Sequence, residues 1–235
     1  MKNHLIFNGR RSSDFGLYIS GSGVFNAPER DVEVVEVAGR NGNLILDNGR
    51  FRNITVAYPA FISRDFPRLA AAARDWLCAS SGYHRLEDTY YPDYFRLARF
   101  SGPLDFETRW QNVGAETNIL FDCKPQRFLK TGEHPIFIAA TTILRNPTSQ
   151  PALPLLKIYG SGDGRISVNG TAVTITGIDE YITLDCDLQD AYKGIENLNS
   201  LVSLEDFPVL PAGSSEISFS GGITKIEITP RWWTI

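Results

Sequence analysis

Only one stretch of this chain, from about Phe66 to Ala79, has the spacing of an amphipathic helix, with Phe66, Leu69, Ala73, Trp76 and Leu77 at offsets 0, 3, 7, 10 and 11 on one face. Arg68, Arg74 and Asp75 fall on the opposite face, so one side of the helix is expected to lie on a sheet and the other in water. Asp65 or Ser63 is placed to cap it, Pro67 suits a first turn where the missing N–H costs nothing, and Ser80-Ser81-Gly82 ends it. Elsewhere the periodicity is that of strands: Val32 to Val37, Ile54 to Phe61, Phe95 to Phe100, Thr117 to Phe121, Arg165 to Ile175, Tyr181 to Asp185 and Thr224 to Ile228. The fold class is therefore mainly β, with a single helix.

Turn chemistry divides these strands. Asn169-Gly170 separates Arg165 to Val168 from Thr171 to Ile175, and an Asn-Gly pair supplies the two positive-φ residues of a type I′ hairpin turn. Asn41-Gly42 and Asn48-Gly49 are signals of the same kind and bracket a short strand, Asn43 to Leu46. Five X-Pro pairs, from Lys124-Pro125 to Leu153-Pro154, mark a shift in composition. Proline cannot feed a central ladder, so this stretch reads as edge strands and a domain connection. The boundary is expected near Gly132, giving domains 1–132 and 133–235, the second a β-sandwich of short strands and Gly-rich turns.

A length of 235 residues allows one large β domain or two ordinary ones, and either buries enough apolar surface without staples. No apolar run approaches the roughly 20 residues of a membrane span, and Met1-Lys2-Asn3-His4 leads into the strand-like Leu5-Ile6-Phe7 instead of a signal-peptide core. Synthesis in a cytoplasm is the expectation. Cys78, Cys123 and Cys186 are odd in number and widely separated, which reads as three buried free thiols. A net charge of −4 offers no basic stripe for sequence-specific nucleic acid binding.

No arrangement of residues suggests catalysis. His4, His84 and His134 are far apart, and no nucleophile elbow, zinc motif or phosphate loop is present. Glu87-Asp88 is the tempting carboxylate pair for glycoside hydrolysis, but adjacent strand residues point to opposite faces, and one of the two is better employed in tying down the Thr89-Tyr90-Tyr91-Pro92 turn. Asp185, Asp187 and Asp190 alternate as calcium ligands could, yet lack the central Gly and terminal Glu of a calcium loop, so a solvated strand end is expected. Tyr90, Tyr91 and Tyr94 could stack on sugars, although tyrosines flanking a Pro turn more often pack over a sheet end. Trp232-Trp233 on a terminal strand would put one ring in the core and leave the other needing a partner surface. Catalytic, cofactor and metal residues are accordingly assigned to none, and an enzyme is not expected.

The opening Phe7-Asn8-Gly9 with Ser12-Ser13-Asp14-Phe15-Gly16-Leu17, the Gly39-Arg40-Asn41-Gly42 turn, the one-helix insertion and the closing Pro230-Arg231-Trp232-Trp233 together resemble the distal tail proteins of long, non-contractile-tailed phages. The resemblance is one of order and spacing over the whole chain. It implies an N-terminal β-sandwich carrying a helix and an extended β-hairpin, followed by a C-terminal galectin-like β-sandwich. It further implies a hexameric ring of N-terminal domains between the major tail protein and the tail-associated tip protein. The tape measure protein and then DNA would pass through it, and the C-terminal domains would hold receptor-binding or baseplate proteins. Carried onto this sequence, the ring-forming arm falls on Arg40, Asn41, Gly42 and Asn43.

The expected location is the virion, at the tail tip, with no cofactor and no membrane. At 235 residues there is no room for the inserted carbohydrate-binding modules of longer members. The galectin sugar signature is also not assembled around Asn146-Pro147, which Thr148 follows. A lectin-like adhesion module without catalysis is the competing reading, and a glycosidase the next.

Overall fold

A computed structural model describes residues 2–21, 23, 26–109 and 113–235. The chain divides into two compact units, one built up to Arg127 and one from Phe128 to Thr234.

The first unit contains β1 (Leu5–Phe7), β2 (Arg10–Arg11), β3 (Leu17–Ile19), β4 (Arg30–Val35), β5 (Leu44–Phe51), β6 (Ile54–Ile62), α1 (Phe66–Cys78), β7 (His84–Asp88), β8 (Tyr94–Phe100), β9 (Phe106–Arg109) and β10 (Gly114–Cys123). Its main sheet runs β2-β1-β7-β8-β10-β6-β3, with β9 also on β10, while β4 and β5 pair only with each other. Alternation explains which face is buried: in β6, Ile54, Val56, Tyr58, Ala60 and Ile62 point inward and the residues between them outward.

Onto that face α1 lays Leu69, Ala73, Trp76 and Leu77, the stripe its spacing predicts. The Trp76 ring stacks on Phe15 with centroids 4.6 Å apart, and its Nε1 donates to the Phe7 carbonyl at 3.3 Å. The expected cap is absent. Asp65 sits at the N-cap in the left-handed region, φ 50°, and its carboxylate meets Arg68 instead of a backbone amide.

The chain leaves the first unit after Arg127, the first residue of β11 (Arg127–Leu129), and the second unit continues with β12 (Ile136–Ile138), β13 (Thr142–Asn146), β14 (Leu155–Val168), β15 (Thr171–Asp185), β16 (Asp190–Lys193), β17 (Glu196–Asn197), β18 (Val202–Leu204), β19 (Gly213–Thr229) and β20 (Trp233–Thr234). The order is β12-β19-β14-β15-β16-β17, with β13 also on β19 and β18 on β15. The Pro-rich stretch thus supplies short strands along β19, as a residue type that breaks ladders should. Asn169 and Gly170 have φ 51° and 88° and join β14 to β15 with Val168 opposite Thr171, the two-residue turn the sequence predicts.

The core of this unit is an aliphatic row including Ile158, Ile166, Val173, Ile182, Ile226 and Ile228, closed by Trp232.

Sequence spacing divides β14, β15 and β19 into shorter pieces than the 14, 15 and 17 residues they span. Glycine-rich irregularities let each strand bend without ending: the register of β14 against β19 shifts between Tyr159 and Gly160 and again between Gly160 and Gly164. At this bend the backbones nearly touch. A Cβ on Gly222 would lie 1.8 Å from the Ser161 carbonyl oxygen, and one on Gly160 would lie 2.2 Å from that of Gly222. Neither backbone neighbour can step aside, so Gly222→Ala is expected to cost about 2–3 kcal/mol by overpacking. Thermal melts should report a lowered transition, whereas Gly194→Ala, with no atom within 4 Å of the added carbon, tests only the strain of its φ of 63°.

Candidate functional site

The β4–β5 hairpin forms a two-stranded sheet of its own, and among the described residues it contributes none to either hydrophobic core. Its cross-strand pairs are Val32–Asp47, Glu33–Leu46, Val34–Ile45 and Val35–Leu44. Every residue from 36 to 50 is exposed. Ile45 is 63% exposed, Val34 54% and Leu46 46%, and alternation puts Val34 and Ile45 on one face and Leu44 and Leu46 on the other. Two strands alone are marginal in water, and such an edge is a ready template for another chain.

The root of the arm is therefore braced. Asp31, at a bulge where β4 opposes the extra residues of β5, is only 8% exposed and receives Arg50 Nε at 2.7 Å and Arg52 Nη2 at 3.0 Å. Hydrogen bonds from Arg50, then Arg52, hold its carboxyl below the usual carboxylate range. Arg30 stacks on Phe51 at 4.5 Å, and the Arg52 amide donates to Glu29 O at 2.8 Å. Asn48-Gly49 is not a turn bounding a short strand: Gly49, φ 72°, takes its amide to Asp47 Oδ1 at 2.8 Å, and β5 runs through it to Phe51.

Arg40, Asn41, Gly42 and Asn43 lie in the exposed tip loop between the two strands, where Gly39 and Gly42 adopt φ 79° and 80° and the Arg40 amide donates to Val37 O. Sequence reasoning passed over the apolar shaft below them. Its signal was Leu44-Ile45-Leu46, three consecutive apolar residues that a two-faced strand cannot bury on one side.

The chemical candidates resolve into structural roles. Asp88 Oδ1 accepts the amides of Tyr90 and Tyr91, both at 2.9 Å, as the turn reading expects, while Glu87 pairs with Arg85. Tyr91 and Tyr94 flank the Arg127 guanidinium at 4.6 and 4.7 Å, and Tyr90 packs against the core. Asp185 is not a solvated strand-end carboxylate: it is buried and takes a two-pronged ion pair from Arg231 at 2.6 and 2.9 Å, a partner the sequence did not suggest. Asp190 Oδ1 accepts from the Ala191 amide and Asn197 Nδ2.

Among the described residues no group of three His, Cys, Asp or Glu side chains is set to hold a metal. Trp232 is in the core, and Trp233 is partly buried with its Nε1 on Pro151 O at 2.8 Å, so the outward ring already has a partner within its own unit. Asn146 is spent on its own loop: its Nδ2 reaches Gln150 O and Leu210 O, and its Oδ1 accepts the Thr148 amide. Cys123 and Cys186 are buried, with burial foremost among the causes that push their thiols up to about 12, but Cys78 is exposed, contrary to expectation, since it ends the wet side of α1.

Two β units, one with a helix on its sheet and an uncovered hairpin, define a mainly β scaffold of the β-sandwich type. Neither protein-family models nor the curated proteins gave a match. Among solved structures, the SPP1 Dit (gp 19.1) protein, described as a paradigm of the hub adsorption apparatus in phages infecting Gram-positive hosts, superposes with a TM-score of 0.76 at 10% identity over 97% of this chain and 98% of that one. The phage p2 baseplate in its activated conformation with Sr gives 0.50 at 10% identity over 97% and 96%. At such identities the likeness is one of fold, shared with the SPP1 Dit protein over nearly the whole of both chains.

Proposed function

We propose that this protein is a structural hub of the tail tip of a long non-contractile-tailed phage or prophage. Residues 1–132 form a hexameric ring head to tail, and residues 133–235 hold the adsorption parts outward. The ring joins the major tail protein to the tail-associated tip protein, lets the tape measure protein and DNA pass, and binds receptor-binding or baseplate proteins around it. It is made in the host cytoplasm, acts in the virion, and catalyses nothing.

The observation that carries this reading is the braced, uncovered arm. A head-to-tail contact needs a donor element on one subunit and an acceptor on the next, and a hairpin with apolar residues on both faces is such a donor. The acidic chain, at −4, would also let DNA slide without sticking.

Light scattering over a concentration series tests it. Six copies of a 26.2 kDa chain give about 157 kDa, and negative-stain images of that species should show a central hole. A strict monomer both alone and with the tube protein would overturn the proposal.

A further inference from the structure

The first unit holds a buried arginine that makes no ion pair with a described carboxylate, although Asp88 lies near enough to favour its charge. Arg96 in β8 shares its sheet face with Ala98, opposite the core residue Leu86, and is only 8% exposed. Its Nη1 is fully buried and has no hydrogen-bond partner among the described residues. It lines a cavity of about 20 Å³ together with Tyr58, Asp88, Tyr94 and Arg127, room for a water-sized or monatomic guest.

Asp88, the carboxylate in this lining, is already engaged. Its Oδ2 accepts the Tyr58 hydroxyl at 2.7 Å, and its Oδ1 accepts two backbone amides. Burial, and then Asp88, raises the Tyr58 hydroxyl well above its ordinary value, so that group stays neutral. Two guanidiniums therefore face one carboxylate. A buried charge left unmatched is strongly destabilising, and a water's dipole offsets this less well than an anion does.

We propose that this cavity binds a single halide ion, chloride in the cell, held by Arg96 Nη1 and the Arg127 guanidinium. The ion would fix β8 against the turn that Asp88 organises.

The test is a set of thermal melts of the full chain at constant ionic strength in sodium chloride, sodium bromide and sodium gluconate. Chloride and bromide should raise the transition by roughly 3 °C over gluconate, with saturation at one site. General salt effects act through exclusion from the whole surface and would not saturate at one site. Arg96→Met, which keeps the stem and removes the charge, should melt alike in all three salts. Should that variant fail to fold, Arg127→Gln provides the same comparison, and bromide-soaked crystals of the unaltered protein should show an anomalous peak beside Arg96 Nη1. Identical melting of the unaltered protein in the three salts, or bromide found only elsewhere, overturns the proposal.

Discussion

Exchanging Val34 for lysine and Ile45 for aspartate in one chain is expected to abolish ring assembly while leaving the melting transition in place. The two side chains face each other across β4 and β5, and both are more than half exposed. In the isolated subunit the change therefore replaces one exposed apolar pair by an opposite-charge pair, which a two-stranded ladder tolerates or favours by a few tenths of a kcal/mol. In the proposed ring the same positions would lose the burial of two aliphatic side chains, about 1.5–3 kcal/mol each, and would also have to desolvate two charges. That is a weakening of at least 100-fold at every contact, repeated around the ring. Light scattering should find only monomer, and a melt should match the parent within about 1 °C. A variant that still closed rings at the parent concentration would remove the shaft from the interface. A collapsed melt would show that the hairpin packs on its own unit.

The arm also marks where sequence reading reached its limit. Its two strands and glycine-rich tip are legible, because Gly39, Asn41 and Gly42 demand a turn whatever surrounds them. Its register is not. Asn48-Gly49 carries the same dipeptide signal as Asn169-Gly170, yet one is a bulge inside a strand and the other a true hairpin turn. What separates them is tertiary: Arg50 and Arg52 must both reach Asp31, and a strand that ended at Leu46 could not deliver them.

Helix α1 was readable for the opposite reason, since its stripe is a property of the local sequence alone. The Asp65 cap failed because the carboxylate found Arg68 in place of a backbone amide. Ion pairs between residues apart in the chain leave no local pattern, which is why the partners of Asp31, Arg50 and Arg52, and the partner of Asp185, Arg231, were passed over.

Arg231 shows how much such an unseen residue can carry. It adopts φ 58°, a region costly for a side chain of its size, and is held there by its amide on Gly132 O at 2.8 Å and by the two-pronged contact with Asp185. Gly132 is obligatory opposite it, because a Cβ would fall 2.4 Å from the Trp232 nitrogen.

Asp185→Asn isolates the charge in this arrangement, since the amide oxygen can still accept from the Asp187 and Leu188 amides. Breaking one side of a buried pair costs about 3–5 kcal/mol, so the melting transition should fall by roughly 10 °C or more. Adding Arg231→Met removes the orphaned cation and should recover part of that loss.

The pH dependence has a definite sign. Burial alone would push the Asp185 carboxyl up, but the Arg231 hydrogen bonds and the Leu188 and Asp187 amides together outweigh it and hold the group below its ordinary value. A carboxyl depressed in the folded state stabilises above its unfolded pKa of about 3.9 and loses that contribution as pH falls through the folded value. The difference between parent and Asp185→Asn should therefore be flat above about pH 5 and shrink below about pH 4. A difference that instead grew toward low pH would mean that the carboxylate is destabilising where it sits, and that Arg231 is held in its strained conformation by the Gly132 contact alone.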